Sequence, residues 1–164
     1  MMLEDNLHDI YLKLKLYYYR RIFRKISNSE EDSLTALEAF CAEAIYGLGS
    51  PTLSEFANFI NVSQPNAAYK VSNLEKKGYV NKTKSSEDGR IVHLTVTDKF
   101  MQIYGTSERY VSILTKRLKK KYSAEDVEKF SEIMRDISDN MMTEVNKYLR
   151  NKADLPEGVI PGKS

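Results

Sequence analysis

The fold of this chain is decided by the stretch from Thr52 to Asp98, TLSEFANFINVSQPNAAYKVSNLEKKGYVNKTKSSEDGRIVHLTVTD. Its first four residues, Thr52-Leu-Ser-Glu55, have the hydroxyl and carboxylate spacing of a capping box, which predicts the start of a short helix. Asn61-Val62 predicts a turn. Ser63 then predicts an N-cap, and Pro65 fits the first turn of a second helix, where a missing N–H costs nothing. The stretch therefore begins as a helix-turn-helix.

Two short strands are predicted to follow the second helix. Gly78 suits the left-handed position that ends a helix. Residues 79–83 predict one strand, and residues 91–96 predict a clearer one because valine and leucine alternate on one face. Between them runs the polar loop Ser85-Ser-Glu-Asp-Gly-Arg90. Helix-turn-helix followed by a hairpin is a winged helix, and it offers one helix for a DNA major groove and one loop for the neighbouring backbone.

The remainder of the chain predicts longer helices. Apolar spacing indicates helices over residues 5–26, about 33–46, 97–118 and 123–149. The predicted fold is mainly α (α+β), a winged helix-turn-helix lobe with a helical dimerisation domain built from both ends of the chain. The boundaries are an N-terminal arm at 1–32, the DNA-binding lobe at 33–99, dimerisation helices at 100–150 and an irregular tail at 151–164.

Composition places the protein in an ordinary class. The chain has 164 residues, of which 41% are hydrophobic and 29% charged, and its net charge is +2. No apolar run is long enough to span a bilayer, and Glu4, Asp5 and Asp9 interrupt any signal-peptide core. A single cysteine suits a reducing compartment. These features predict a cytoplasmic protein that does not associate with membranes.

The distribution of charge is more informative than its sum. Residues 61–100 hold seven basic and four acidic residues, a local charge of +3, and residues 123–164 hold six basic and nine acidic, a local −3. A basic middle and an acidic C-terminal arm suit a DNA-binding face and an arm that does not bind DNA. Charged helix surfaces without a ligand are the alternative.

The outer face of the second helix is the candidate for reading DNA. Ala67, Val71 and Leu74 are predicted to be buried, so the opposite residues face outward. Asn and Gln side chains can pair bidentately with adenine edges, and Lys or Tyr can meet phosphate or guanine. The predicted contacts are Ser63, Gln64, Asn66, Tyr69, Lys70 and Asn73. A solvated helix face is the alternative, because polar residues occur there in any case.

The hairpin loop supplies the second set of candidate contacts, Lys84, Ser86 and Arg90. An arginine at a hairpin tip suits a narrow minor groove, where the negative potential is enhanced. Asp88 has the wrong sign for DNA, so it is predicted to organise the loop within the protein. A generic hairpin turn is the alternative, since Asp-Gly is a favoured turn pair.

The long helices at the two ends of the chain predict a homodimer. They carry more apolar surface than the small middle lobe could cover, and pairing of two chains would bury it. A two-fold dimer also suits helix-turn-helix binding to DNA. The alternative is an intramolecular bundle of these helices.

The sequence resembles the MarR family of bacterial transcriptional regulators. The resemblance rests on the order of elements and on the segments Thr52-Leu-Ser-Glu-Phe-Ala, Val62-Ser-Gln-Pro-Asn, Leu74-Glu-Lys-Lys-Gly-Tyr-Val80, Asp88-Gly-Arg90 and Leu94-Thr-Val-Thr-Asp-Lys99. It implies a homodimer, a pseudo-palindromic operator in double-stranded DNA, and often release by a small ligand or an oxidant. It also implies that Arg90 is the DNA contact of the wing and Asp88 its organiser. The sequence departs from the family at Tyr69, where many members have arginine, and at Phe100, where many have glycine.

Other candidate sites are weaker. Cys41 is either a redox sensor or a buried, inert thiol, and its apolar neighbours favour the second. Tyr17, Tyr18 and Tyr46 are candidates for an effector pocket, with core or dimer packing as the favoured alternative. His8 and His93 lie far apart without a cysteine cluster, so no zinc site is predicted, with a site assisted by carboxylates as the alternative. No cofactor is predicted.

The sequence predicts a DNA-binding repressor rather than an enzyme. It holds no phosphate loop, dinucleotide fingerprint, nucleophile elbow or paired catalytic carboxylates. The alternative is a winged helix that binds another protein and no DNA.

Overall fold

The computed structural model describes residues 2–27, 33–104 and 106–149. These residues form helices and one two-stranded antiparallel sheet. The elements in chain order are α1 (Leu3–Ser27), α2 (Ala36–Gly47), α3 (Leu53–Phe59), α4 (Gln64–Lys76), β1 (Val80–Lys84), β2 (Val92–Val96), α5 (Asp98–Tyr104), α6 (Thr106–Lys121), α7 (Ala124–Asp136) and α8 (Thr143–Asn146). The predicted mainly helical winged-helix fold is confirmed.

Capping side chains determine where the helices of the middle lobe begin. The Thr52 hydroxyl accepts from the Glu55 N–H at 3.2 Å, and the Glu55 carboxylate accepts from the Thr52 N–H at 2.6 Å, so the predicted capping box is present. Thr35 and Glu38 form a second box at α2. The second helix therefore begins three residues later than the predicted position 33, because Thr35 satisfies its first free N–H groups.

A tight turn joins α3 to α4. Asn61 takes a left-handed conformation with φ of 55°, which asparagine tolerates better than most residues. The Val62 N–H donates to the Ala57 carbonyl at 3.0 Å and closes the turn. Ser63 accepts from the Asn66 N–H, and Pro65 lies in the first turn of α4, as predicted.

The wing is a short hairpin with a defined register. Val80 pairs with Val96 and Lys84 with Val92, each strand lying within one residue of its predicted bounds. The Leu94 N–H donates to the Pro51 carbonyl at 2.8 Å, which joins the root of the wing to the start of α3. The wing and the helix-turn-helix are therefore parts of one packed unit.

One apolar core lies between α2, α3, α4, the sheet and α5. Phe56, Leu74, Leu94 and Phe100 have no exposed surface. The predicted inner face of α4 is confirmed, because Ala67 and Val71 are also fully buried. Phe100, one of the two departures from the family pattern, fills the core where α5 begins.

The C-terminal helices differ from the prediction of two long helices. The helix predicted over residues 97–118 corresponds to α5 and α6. Gly105, between them, lies outside the described residues. The prediction of one continuous helix from residue 123 to 149 is wrong, because residues 137–141 form a π-helical turn. Asn146 Nδ2 donates to the carbonyls of Ser138 and Asp139 at 2.9 and 3.2 Å and satisfies groups that a regular helix would pair.

The helices at both ends of the chain leave a large apolar surface exposed. α1 packs against α2, α5 and α6, and α7 packs against α6. Many apolar side chains of these helices are nonetheless more than a third exposed, among them Leu7, Ile10, Leu14, Phe23, Val111, Ile113, Phe130, Ile133, Met134 and Met141. Within the described residues, no helix is long and apolar enough to cross a membrane. The predicted tail at 151–164 lies outside these residues.

Candidate nucleic-acid interface

Helix α4 presents a polar face opposite its buried one. Ser63, Gln64, Asn66 and Tyr69 are exposed, and Tyr69 keeps 68% of its surface accessible. Lys70 and Asn73 are half-buried at the edge of the same face. The six predicted contacts therefore lie on α4 and its N-cap, four of them exposed and two half-buried.

The outer face of α4 carries little negative charge. Its only acidic residue, Glu75, lies in the last turn and pairs with Lys82 of β1 at 2.6 Å. This pair neutralises the carboxylate and ties the end of α4 to the wing. The remaining face offers hydrogen-bond donors and acceptors without a net repulsion for phosphate.

Hydrogen bonds within the loop define the tip of the wing. The Ser85 N–H donates to the Ile91 carbonyl at 2.9 Å, and the Ile91 N–H donates to the Asp88 carbonyl at 2.9 Å. The Ser85 hydroxyl accepts from the Glu87 N–H at 3.2 Å. The loop is therefore closed by its own backbone, and its outer side chains are free to meet a ligand.

Asp88 holds Arg90 in the loop. Its carboxylate accepts from the Arg90 backbone N–H at 2.9 Å and approaches the Arg90 Nε at 3.4 Å. The Arg90 side chain is 95% exposed, against 46% for Asp88. The Arg90 side chain thus projects from the tip of the wing, while the Asp88 carboxylate is hydrogen-bonded to the Arg90 backbone. Lys84 and Ser86 are exposed on the same hairpin.

An ion pair at the C-terminal end of α4 was not predicted from the sequence. Lys77 Nζ lies 2.8 Å from Glu38 Oε2 and donates to the Ser33 carbonyl at 3.1 Å. Burial alone would raise the pKa of Glu38, but the hydrogen bonds from Lys77 and Thr35 outweigh it and lower that pKa. Thr35-x-x-Glu38 is a capping-box pattern that the sequence displays, whereas no local pattern indicates a contact between residues 39 positions apart.

The candidate effector tyrosines do not share one environment. Tyr17 stacks on Tyr110 of α6 with ring centroids 4.1 Å apart. Tyr18 and Tyr46 are partly buried and pack against the core of the middle lobe. This arrangement favours the packing alternative for Tyr18 and Tyr46, and it places Tyr17 at the contact between α1 and α6.

Cys41 is buried within α2. It is 5% exposed, and burial raises the pKa of its thiol while the charge of Lys70 opposes that rise. A protonated, enclosed thiol reacts slowly with oxidants. The structure therefore favours the inert alternative over a redox sensor. No cluster of metal-binding side chains occurs among the described residues.

Comparison with known proteins gives consistent matches. The sequence model of the MarR family matches residues 34–92, which run from the residue before the α2 cap into the wing. The chain is 25% identical over 120 residues to the HTH-type transcriptional repressor MdtR of Bacillus subtilis (strain 168), covering 68% of this chain and 77% of MdtR.

Solved structures support the fold. A MepR mutant from Staphylococcus aureus aligns with a TM-score of 0.61 at 12% identity, covering 87% of this chain and 99% of that one. A transcriptional regulator from Thermotoga maritima aligns with a TM-score of 0.59 at 21% identity, covering 84% and 95%. The likeness therefore covers more of the chain than residues 34–92 alone.

Proposed function

This chain is a member of the MarR family of transcriptional regulators, and from that premise we propose that it is a homodimeric repressor that binds a pseudo-palindromic operator. Members of this family regulate transcription and are not enzymes. The observation that carries the proposal is Arg90, held by Asp88 at the tip of a wing that follows the polar, nearly acid-free face of α4 in the chain.

The arrangement suggests how DNA is read. α4 enters the major groove, where Gln64 and Asn66 lie near its N-terminal end and pair with base edges. Arg90 reaches the adjacent minor groove, and Lys84 meets phosphate nearby. Because each cation that meets phosphate releases counterions, affinity falls steeply as salt rises.

Dimerisation explains the exposed apolar surface at the ends of the chain. The described parts of the N-terminal arm and of the C-terminal helices expose leucine, isoleucine, phenylalanine and methionine side chains. A second copy removes this surface from water. Two-fold symmetry then places two α4 helices about one helical turn of DNA apart, roughly 34–36 Å.

Repression follows from occupancy of the operator in the cytoplasm. The relative MdtR is named a transcriptional repressor, which supports the same direction of control. Release by a small effector remains part of the proposal, and Tyr17 at the contact of α1 with α6 is the residue best placed to respond.

Arg90→Ala tests the wing. We expect it to weaken binding to an operator duplex, selected from random DNA by the wild-type protein, by about 1–3 kcal/mol. Arg117→Ala on α6 is the matched control, because it removes an exposed arginine outside the DNA-binding lobe. Gel-shift titration at fixed salt measures affinity, and size-exclusion chromatography verifies the dimer. Equal affinity of wild type and Arg90→Ala would overturn the wing assignment.

Gln64→Ala and Asn66→Ala test base reading by α4. Loss of an amide that pairs with a base relaxes sequence preference at that position. Selection from random duplexes should therefore return a consensus that is degenerate at one position in each half-site. If the protein protects no duplex in a footprinting assay and captures a protein partner, the alternative of a winged helix that binds another protein and no DNA is favoured.

A further inference from the structure

The C-terminal end of α4 is held from outside the helix-turn-helix. Lys77, its C-cap residue, bonds through Nζ to the Glu38 carboxylate at 2.8 Å and to the Ser33 carbonyl at 3.1 Å. Lys99 Nζ donates to the Lys77 carbonyl at 2.8 Å from the first turn of α5. The side chain of Lys77 thus connects α4 to α2 and to the residues before it, and the Lys77 backbone connects α4 to α5.

This ion pair is less exposed than four other ion pairs of the described residues, namely Lys13–Asp9, Lys82–Glu75, Arg90–Asp88 and Lys129–Glu132. The side chains of Lys77 and Glu38 are 27% and 18% exposed, against 69% and 58% for Lys13 and Asp9. Fully exposed pairs contribute little because water and salt screen them, whereas a partly desolvated pair constrains geometry more strongly. The Glu38 carboxylate is itself fixed, since it also accepts from the Thr35 N–H at 2.8 Å.

We infer that Glu38 and Lys77 are positioning residues that set the orientation in which α4 meets DNA, through their ion pair between the start of α2 and the end of α4. The inference rests on the proposed function. Val71 and Leu74 anchor the inner face of α4 in the core, but apolar contacts are not directional. The ion pair adds a directional constraint at the helix end farthest from the Ser63 cap.

A direct phosphate contact by Lys77 is the competing explanation, and the two explanations predict opposite signs at Glu38. If Lys77 binds phosphate, Glu38→Gln releases the lysine and removes a negative charge, so DNA affinity rises. If the pair positions α4, the same change loosens the helix and affinity falls. Glutamine also serves at this position of a capping box, so the start of α2 is preserved.

The experiment compares Glu38→Gln with Asp98→Asn. Both remove one negative charge from the DNA-binding lobe, but Asp98 is exposed in the first turn of α5 and lies on neither α2 nor α4. Affinity is measured on the duplex selected by wild-type protein, at a temperature where urea titration shows every variant folded. We expect Glu38→Gln to weaken binding about fivefold to tenfold and Asp98→Asn to leave it equal or tighter.

Lys77→Met and the double variant that combines it with Glu38→Gln complete a double-mutant cycle. A positioning role predicts that Lys77→Met weakens binding without changing the slope of log affinity against log salt, and that Glu38→Gln adds little in the Lys77→Met background. A phosphate contact predicts a slope reduced by about 0.9 for each protomer, and therefore by about 1.8 for the dimer. A pair that only stabilises the fold predicts altered urea midpoints and unaltered affinity of the folded protein.

The outcomes separate this inference from the proposed function. If wild-type protein selects no duplex over random DNA, the proposed function fails and the inference fails with it. If wild type binds and Glu38→Gln binds equally or more tightly, the inference alone is overturned. Weaker binding by Glu38→Gln and Lys77→Met, with an unchanged salt slope and non-additive effects, supports it.

Discussion

Asp88 binds the backbone of Arg90 at the tip of the wing and leaves the Arg90 side chain exposed. The Asp88 carboxylate accepts from the Arg90 N–H at 2.9 Å, while the Arg90 side chain stays 95% exposed. An acid two residues from a DNA contact is thereby engaged in shaping the loop. Substitution of Asp88 should therefore change DNA affinity differently according to whether the hydrogen bond or only the charge is lost.

Asp88→Ala should weaken DNA binding by a few fold, although it removes a negative charge. The loop loses the acceptor that fixes the Arg90 backbone, so ordering the wing on DNA costs more entropy. Asp88→Asn is the control, because its amide oxygen can still accept that N–H. Gel-shift titration of both variants checks the prediction, and tighter binding by Asp88→Ala would show that charge outweighs loop order.

Leu74→Ala should lower the free energy of unfolding by about 2–5 kcal/mol, since the leucine is fully buried on the inner face of α4. Tyr69→Ala on the opposite face should change it by less than about 0.5 kcal/mol. Urea titration of the two variants measures the difference. If Tyr69→Ala were as costly as Leu74→Ala, the assignment of inner and outer faces would be wrong.

The middle lobe could be predicted from sequence because its signals are local. Capping residues, a glycine and a two-residue alternation lie within a few positions of the elements they define, as Thr52 and Gly78 do. The face of α4 follows from helical periodicity once Ala67, Val71 and Leu74 are assigned to the core.

The features that the sequence did not predict are contacts between residues far apart in the chain, or a backbone geometry that leaves no pattern in the sequence. The Lys77–Glu38 pair and the Tyr17–Tyr110 stack join separate helices, and one sequence gives no pairing information. The π-helical turn at 137–141 keeps an apolar spacing that a regular helix would also show. The predicted DNA contacts and domain boundaries stay predictions until they are tested on DNA.

Gly78→Ala should cost about 1–2 kcal/mol of stability because Gly78 has φ of +77°. A Cβ there would lie 3.7 Å from Lys99 Cδ, an ordinary contact, so the cost comes from the backbone rather than from a clash. Gly89→Ala is the matched control, since a Cβ would meet nothing within 4 Å and no positive φ is involved. Thermal unfolding should separate the two variants, and equal midpoints would contradict the backbone argument.

Cys41 should react slowly with a thiol reagent in the folded protein. Burial shields the sulfur and raises the pKa of the thiol, which leaves little thiolate to react. In a Cys41→Ala background, Ser86→Cys provides an exposed thiol on the wing that should react rapidly. Labelling rates with and without urea measure both. Rapid labelling of Cys41 in the native state, or loss of DNA binding on mild oxidation, would restore the redox interpretation.

The Glu38–Lys77 pair should make stability depend on pH in a defined direction. The pKa of Glu38 is lowered in the folded protein, so the pair contributes its full stability above the ordinary glutamate value of about 4.3 and loses it as pH falls through the lower, folded value. The difference in free energy of unfolding between wild type and Glu38→Gln should therefore be constant near neutral pH and shrink below about pH 5.

Urea titrations over a series of pH values measure this difference, and Lys77→Met provides the control. Without the lysine, the main partner that lowers the Glu38 pKa is gone, while burial still raises it. The pH dependence of the Glu38→Gln effect should then become smaller or reverse its sign. A Glu38→Gln effect that is the same at every pH, in either background, would show that the carboxylate is not stabilised by Lys77 in solution.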